Sequence, residues 1–157
     1  MKLLFLFFST SLASGILFAN IYTSLVDAKS WGASMPKSIE AGREYFKTVS
    51  PARFFRMFAP INMVVALIVL ILFWNNSLGI RIYLGIALVM YALGDLLTFA
   101  YFYPRNKIMF LTTPVPDTDT LRKAWKGWTM MNWVRSLIYI AGLAFSFLAL
   151  YEIYASK

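Results

Sequence analysis

Two ionisable side chains of opposite sign fall inside long apolar stretches of this sequence: Asp95, between Ile82 and Tyr103, and Arg135, between Met130 and Tyr154. Charges are costly in such surroundings, so each marks a place where the chain needs it. A carboxylate in a dry site can act as a base. A guanidinium can hold an oxyanion. Thr98 follows Asp95 by three residues, and Asn132 precedes Arg135 by three, which puts each pair on one helical face. Asn20 and Asn62 lie in two further apolar stretches, Asn20 seven residues before Asp27 and Asn62 six after Arg56.

Other chemistries are excluded by what is missing. Histidine is 0 and cysteine is 0. That removes the commonest general base and metal ligand. It also removes any thiolate nucleophile, disulfide or cysteine-held zinc or iron–sulfur site. Asp and Glu total 7, and Glu40, Glu44, Asp117 and Asp119 of these fall in connecting segments. No metal and no cofactor is therefore expected.

The elements that carry these residues are membrane spans. Of 157 residues, 60% are apolar and 14% charged, against about 25% charged in a soluble domain. Mean hydropathy is +0.65. The excess sits in four blocks, each near the roughly 20 residues that cross a bilayer: about Leu3–Val26, Phe54–Trp74, Ile82–Tyr103 and Met130–Tyr154. The expected fold is all-α: a single domain over residues 1–157, an integral membrane four-helix bundle running up-down-up-down with two long loops on one side. The first block resembles a signal peptide at Ala13-Ser14-Gly15. Its apolar run continues well beyond, so it reads as a retained span.

Spans two and three meet in a tight hairpin at Asn75–Arg81. The other connections are long, about 27 and 26 residues, and long loops are often functional. In the first, Pro36–Thr48 is expected to form a helix resting Ile39, Tyr45 and Phe46 on the membrane, with Lys37, Arg43 and Lys47 facing water. In the second, Thr118–Trp128 is expected to begin a helix continuous with span four, capped by Thr118 or Thr120. Span three is expected to stop at Pro104.

The net charge of +8 reads as lipid contact and topology, with no nucleic-acid partner. Lys29, Lys37, Arg43, Lys47, Arg53, Arg56, Arg105, Lys107, Arg122, Lys123 and Lys126 belong to the long-connection side; Lys2, Arg81 and Lys157 belong to the other. This asymmetry puts the long loops in the cytoplasm and both termini outside, in the plasma (inner) membrane.

Depth gathers the polar residues. Asp95 lies about 12 Å from the Tyr103 end of its span and Arg135 about 10 Å from Trp128, at 1.5 Å per residue. Asn20 and Asn62 fall at similar depth, so one polar layer is expected in the long-loop half. Asp95 and Arg135 are expected to pair within about 4 Å or through a water. The layer is read either as a ligand site or as glue that docks the helices. Tyr101, Tyr103 and Trp128 are candidates for the mouth of an apolar pocket. Ser11, Gly15 and Ala19 form one small-residue stripe and Gly142 with Ser146 another, both suited to close packing.

Span three closes on Thr98-Phe99-Ala100-Tyr101-Phe102-Tyr103-Pro104-Arg105-Asn106, and span four opens on Asn132-Trp133-Val134-Arg135 after a tryptophan-rich approach. In its Pro-x-Asn and Asn-x-x-Arg elements the chain resembles the anthrone oxygenase-like family of small four-span membrane proteins. That resemblance implies a shared site containing Asn106, Asn132 and Arg135. It also implies oxidation of an anthrone to an anthraquinone by molecular oxygen. The expected activity is then oxidation of a lipophilic phenolic substrate without a metal. Asp95 and Arg135 would be catalytic, and Asn20, Asn62, Tyr101, Asn106, Trp128 and Asn132 would bind substrate. The alternative is a non-catalytic membrane protein, either a subunit of a larger complex or a lipid-binding scaffold. Expected partners are membrane lipids, a lipophilic small molecule and membrane-complex subunits.

Overall fold

The computed structural model describes residues 1–156; Lys157, assigned above to the termini side, lies outside them. Five helices and no strand occur among the described residues. They are α1 (Lys2–Gly32), α2 (Lys37–Thr48), α3 (Pro51–Leu72), α4 (Leu78–Leu111) and α5 (Thr118–Ala155). All but α2 are long and apolar enough to cross a membrane. At 1.5 Å per residue α5 is about 57 Å long, so about half of it must project beyond a hydrocarbon core of about 30 Å.

Local chemistry sets the ends. Ser50 caps α3 through the Ala52 amide at 3.2 Å, with Pro51 in the first turn. Ser77 caps α4 through the Ile80 amide at 3.3 Å and also donates to Glu152 of α5, which closes the hairpin end. The cap of α5 is Asp117, not Thr118 or Thr120. Its carboxylate accepts from the Thr120 amide at 2.9 Å and the Thr120 hydroxyl at 2.7 Å. These bonds hold the Asp117 carboxyl below its usual range. Asp117 has the extended backbone a cap needs, and Pro116 before it cannot extend the helix backwards.

Span three does not stop at Pro104. A π-helical stretch, Thr98–Phe102, widens α4 just before the proline, and the helix continues through a second π stretch to Leu111. The wider turn relieves the clash between a proline ring and the preceding carbonyls. Arg105 Nη1 donates to the Tyr101 carbonyl at 3.1 Å on the same stretch. The two long connections are thus largely helical. The first holds α2, and the second shrinks to Thr112–Asp117 between α4 and α5.

The spans close into a ring, α1 on α3, α3 on α4, α4 on α5 and α5 back on α1, with α4 and α5 the tightest pair. Two glycines allow that tightness. A Cβ on Gly142 would sit 2.6 Å from the Tyr91 ring, and one on Gly94 would sit 2.5 Å from that of Tyr139. Tyr91 then bonds Ser146 at 2.9 Å. The Gly142/Ser146 stripe therefore packs as expected. The Ser11/Gly15/Ala19 stripe does not: a Cβ on Gly15 would meet nothing within 4 Å. Leu67, Ile71, Leu96, Leu137 and Phe147 point outward, as lipid-facing residues must.

Helix α2 docks Ile39 and Phe46 on protein, while Tyr45 stays exposed. Ile39 is fully buried, and Phe46 packs on Trp31 and Phe110 at 6.0 and 4.9 Å. Arg43, expected to face water, turns inward instead. Its guanidinium donates to the carbonyls of Met109 at 2.7 Å, Thr112 at 2.7 Å and Ile108 at 3.2 Å. Ile108 and Met109 lie in the last turn of α4 and Thr112 is the residue that follows it, where carbonyls lack intrahelical partners and carry the helix's partial negative charge, so a cation satisfies them better than water does.

Candidate functional site

The polar layer is assembled around Asn132 and Arg135 of α5. Asn132 is wholly buried. Its Nδ2 donates to the Asn20 carbonyl at 2.9 Å and to Ser24 Oγ at 2.7 Å, both on α1. Its Oδ1 accepts from Arg135 Nη2 at 2.5 Å. Arg135 is 5% exposed. Its Nη1 reaches Thr98 Oγ1 of α4 at 3.3 Å. Its Cζ lies 4.2 Å from the centre of the Phe102 ring and 5.1 Å from that of Phe55 on α3. Residues of α3, α4 and α5 therefore meet at one guanidinium, and α1 joins them through Asn132. Ser24 and Thr98 both lie in π-helical stretches, irregularities that often mark functional sites.

Asp95 and Arg135 do not make the direct contact within about 4 Å, the first of the two forms expected for the pair. Lys47–Glu44 of α2 is the one pair within 4.0 Å among the described residues. The half-buried Asp95 carboxylate accepts from Tyr139 at 2.8 Å instead. Tyr139 lies one turn beyond Arg135, and its ring rests over Gly94, so its hydroxyl reaches Oδ1 first. The guanidinium is drawn to Asn132 and to the aromatic faces. Asp95 and Thr98, which accepts from Arg135, still lie about one turn apart on one face of α4.

Among the described residues several buried polar atoms have no protein partner, including the side-chain nitrogen and oxygen of Asn20, those of Asn62, Arg135 Nε and Trp128 Nε1. Asn20 and Asn62 are 0% exposed. Unpaired buried amides are unusual enough to need a cause, commonly a water or a ligand.

Other candidates fall farther out. Tyr101 lies under the Arg105 guanidinium, 3.4 Å from its ring centre. Asn106 stands eight residues past Thr98 on α4, about two turns towards the loops. Trp128 is buried, 5.1 Å from Trp31 and 5.4 Å from Phe102 between ring centres. Its indole therefore joins the layer to the loop-side aromatic cluster. Sequence reasoning missed Tyr139, Ser24, Phe102 and Arg43. The first was within reach, because Tyr139 follows Arg135 by four residues.

A membrane-embedded four-helix bundle with a buried arginine at the meeting point of its helices is the class these features define. The family model described as anthrone oxygenase matches residues 51–145. This chain belongs to that family. The matched stretch holds Asn62, Asp95, Asn106, Asn132 and Arg135, while Asn20 and Ser24 precede it. Neither curated proteins nor solved structures provide a match.

Proposed function

We propose that this protein oxidises a lipophilic phenolic substrate of the anthrone type with molecular oxygen, and that Arg135 holds the substrate's anionic oxygen. One observation carries the reading: a guanidinium buried among Asn132, Thr98 and two aromatic rings, with no carboxylate of the described residues in ion-pair contact. Such a group has charge left for a bound anion. The unpaired Asn20 and Asn62 amides and Arg135 Nε supply further donors for oxygen atoms. In this reading Tyr101, Trp128 and Asn106 contact substrate on its way in.

The chemistry needs only acid–base and electrostatic help. Asp95, oriented by Tyr139, removes a ring-methylene proton. The resulting anion, delocalised onto oxygen, is stabilised by Arg135 and Asn132. It is electron-rich enough to add oxygen at carbon. The hydroperoxide formed then loses water to leave the quinone carbonyl. One substrate and one O2 give one quinone and one water, so the balance needs no other reductant.

The carrying experiment is oxygen uptake by purified protein in lipid nanodiscs on addition of an anthrone. Quinone should form in step with oxygen consumed, and Arg135→Met should lower the rate at least about a hundred-fold. A wild-type rate no greater than that of empty nanodiscs would count against the activity. An Arg135→Met rate equal to wild type would count against the site.

A second reading keeps one specific support. Asn132 spends both ends of its amide clamping α1 to Arg135. That is what interhelical glue in a complex subunit or lipid-binding scaffold would do. In either reading we place the α2 side in the cytoplasm and both termini outside the plasma membrane, on the basic asymmetry.

A further inference from the structure

A cavity of about 660 Å³ opens between the end of α1, helix α2 and the start of α3. Small-molecule sites commonly measure roughly 300–1,000 Å³. The cavity lies outside the polar layer: none of Asp95, Asn132 and Arg135 lines it. It does share a wall with the layer's approach. Trp31 lines the cavity on one side and packs edge-on against Trp128, which packs against Phe102, which lies under Arg135. The π-helical stretch Thr23–Asp27 likewise serves both, with Asp27 on the cavity and Ser24 on Asn132.

We infer that this cavity is a binding site for a flat aromatic molecule carrying hydroxyl groups, and that it leads past Trp31 to the Arg135 layer. The lining states the chemistry. Tyr22, Trp31, Tyr45, Phe46 and Phe54 supply aromatic walls, suited to stacked or edge-on rings. Asp27, Ser30 and Arg53 also line it. Their side chains make no hydrogen bond or ion pair with the rest of the described chain. Asp27 and Ser30 can therefore accept from ligand hydroxyls, and Arg53 can take a phenolic oxygen. A phospholipid headgroup fits less well. Its phosphate calls for clustered cations, whereas the lining here carries one arginine and one aspartate. Helix α2 roofs the site and is held down at Arg43 and Ile39.

The link to Arg135 rests on the proposed function, and the binding site does not. The test therefore starts from Arg135→Met protein, in which the layer is disabled. Dihydroxyanthraquinone is titrated into this protein in nanodiscs, with empty nanodiscs as the partition control. Two exposed positions on the cavity, Ala41 and Val49, are each filled with phenylalanine in that background. Thermal unfolding verifies that both remain folded. Saturable binding above the control, weakened at least about ten-fold by either filling, is the expected result. Binding absent above the control, or indifferent to both fillings, overturns the site. So does native mass spectrometry showing a retained phospholipid that both fillings release. In otherwise wild-type protein the fillings should raise KM for anthrone oxidation at least about ten-fold at unchanged kcat. A fall in kcat at unchanged KM would overturn the link past Trp31 while leaving the binding result intact.

Discussion

At the scale of single residues, the layer is organised by which donor arrives first. Tyr139 takes the Asp95 carboxylate, and Arg135 turns to Asn132, Thr98 and Phe102. Stability measurements should show this pairing. In double-mutant cycles, Asp95→Asn with Tyr139→Phe should couple by about 1 kcal/mol or more, as groups in direct contact do. Asp95→Asn with Arg135→Leu should couple less, because the two side chains do not touch. Thermal unfolding in detergent reads both cycles. A larger coupling for the Asp95/Arg135 cycle would restore the direct ion pair and refute the geometry. The sequence made the layer legible, because intramembrane polar residues are few and their depth follows from counting along four spans. It did not show the partners. Choosing between Tyr139 and Arg135 as the donor to Asp95 depends on how closely Gly94 lets the two helices approach, and no one-dimensional pattern records that distance.

The elements show a similar division. Four apolar blocks announced four spans, and hydrophobic length is a property that a sequence displays directly. The passage of α4 through Pro104 was hidden, since a proline ordinarily ends a helix and the π-helical stretch that accommodates it has no periodic signature. The docking of α2 was hidden as well. Its amphipathic pattern is the same whether the apolar face meets lipid or the aromatic cluster of Trp31 and Phe110. Arg43 is what distinguishes the two, because it satisfies three carbonyls at the end of α4. Arg43→Gln should cost about 2–3 kcal/mol, and it should raise hydrogen exchange across Lys37–Thr48 before it affects the spans. Exchange that rises equally in α3 and α2 would mean that α2 is not an independently held roof.

For the whole molecule, one end of the bundle is aromatic and polar, and the other is apolar and closed by the Ser77–Glu152 contact. The basic residues crowd the first end, which the proposed orientation turns towards the cytoplasm. The absence of native cysteine makes this simple to test. Single cysteines at Ser34 and Ser156, both exposed, can be probed in intact cells with an impermeant thiol reagent. Labelling at position 156 but not at 34 is expected, and the reverse would invert the topology.

The central claim is that Arg135 stabilises an anionic oxygen inside the membrane. A bound hydroxyanthraquinone reports this directly, because its visible absorption differs between phenol and phenolate. In nanodiscs containing the wild-type protein, the bound dye should titrate about one pH unit or more below the dye in empty nanodiscs, as expected for a phenol beside a buried cation. With Arg135→Met the bound dye should titrate at a higher pH than with the wild type. Identical titration curves for the wild type and Arg135→Met, with the dye bound to both, would contradict the account.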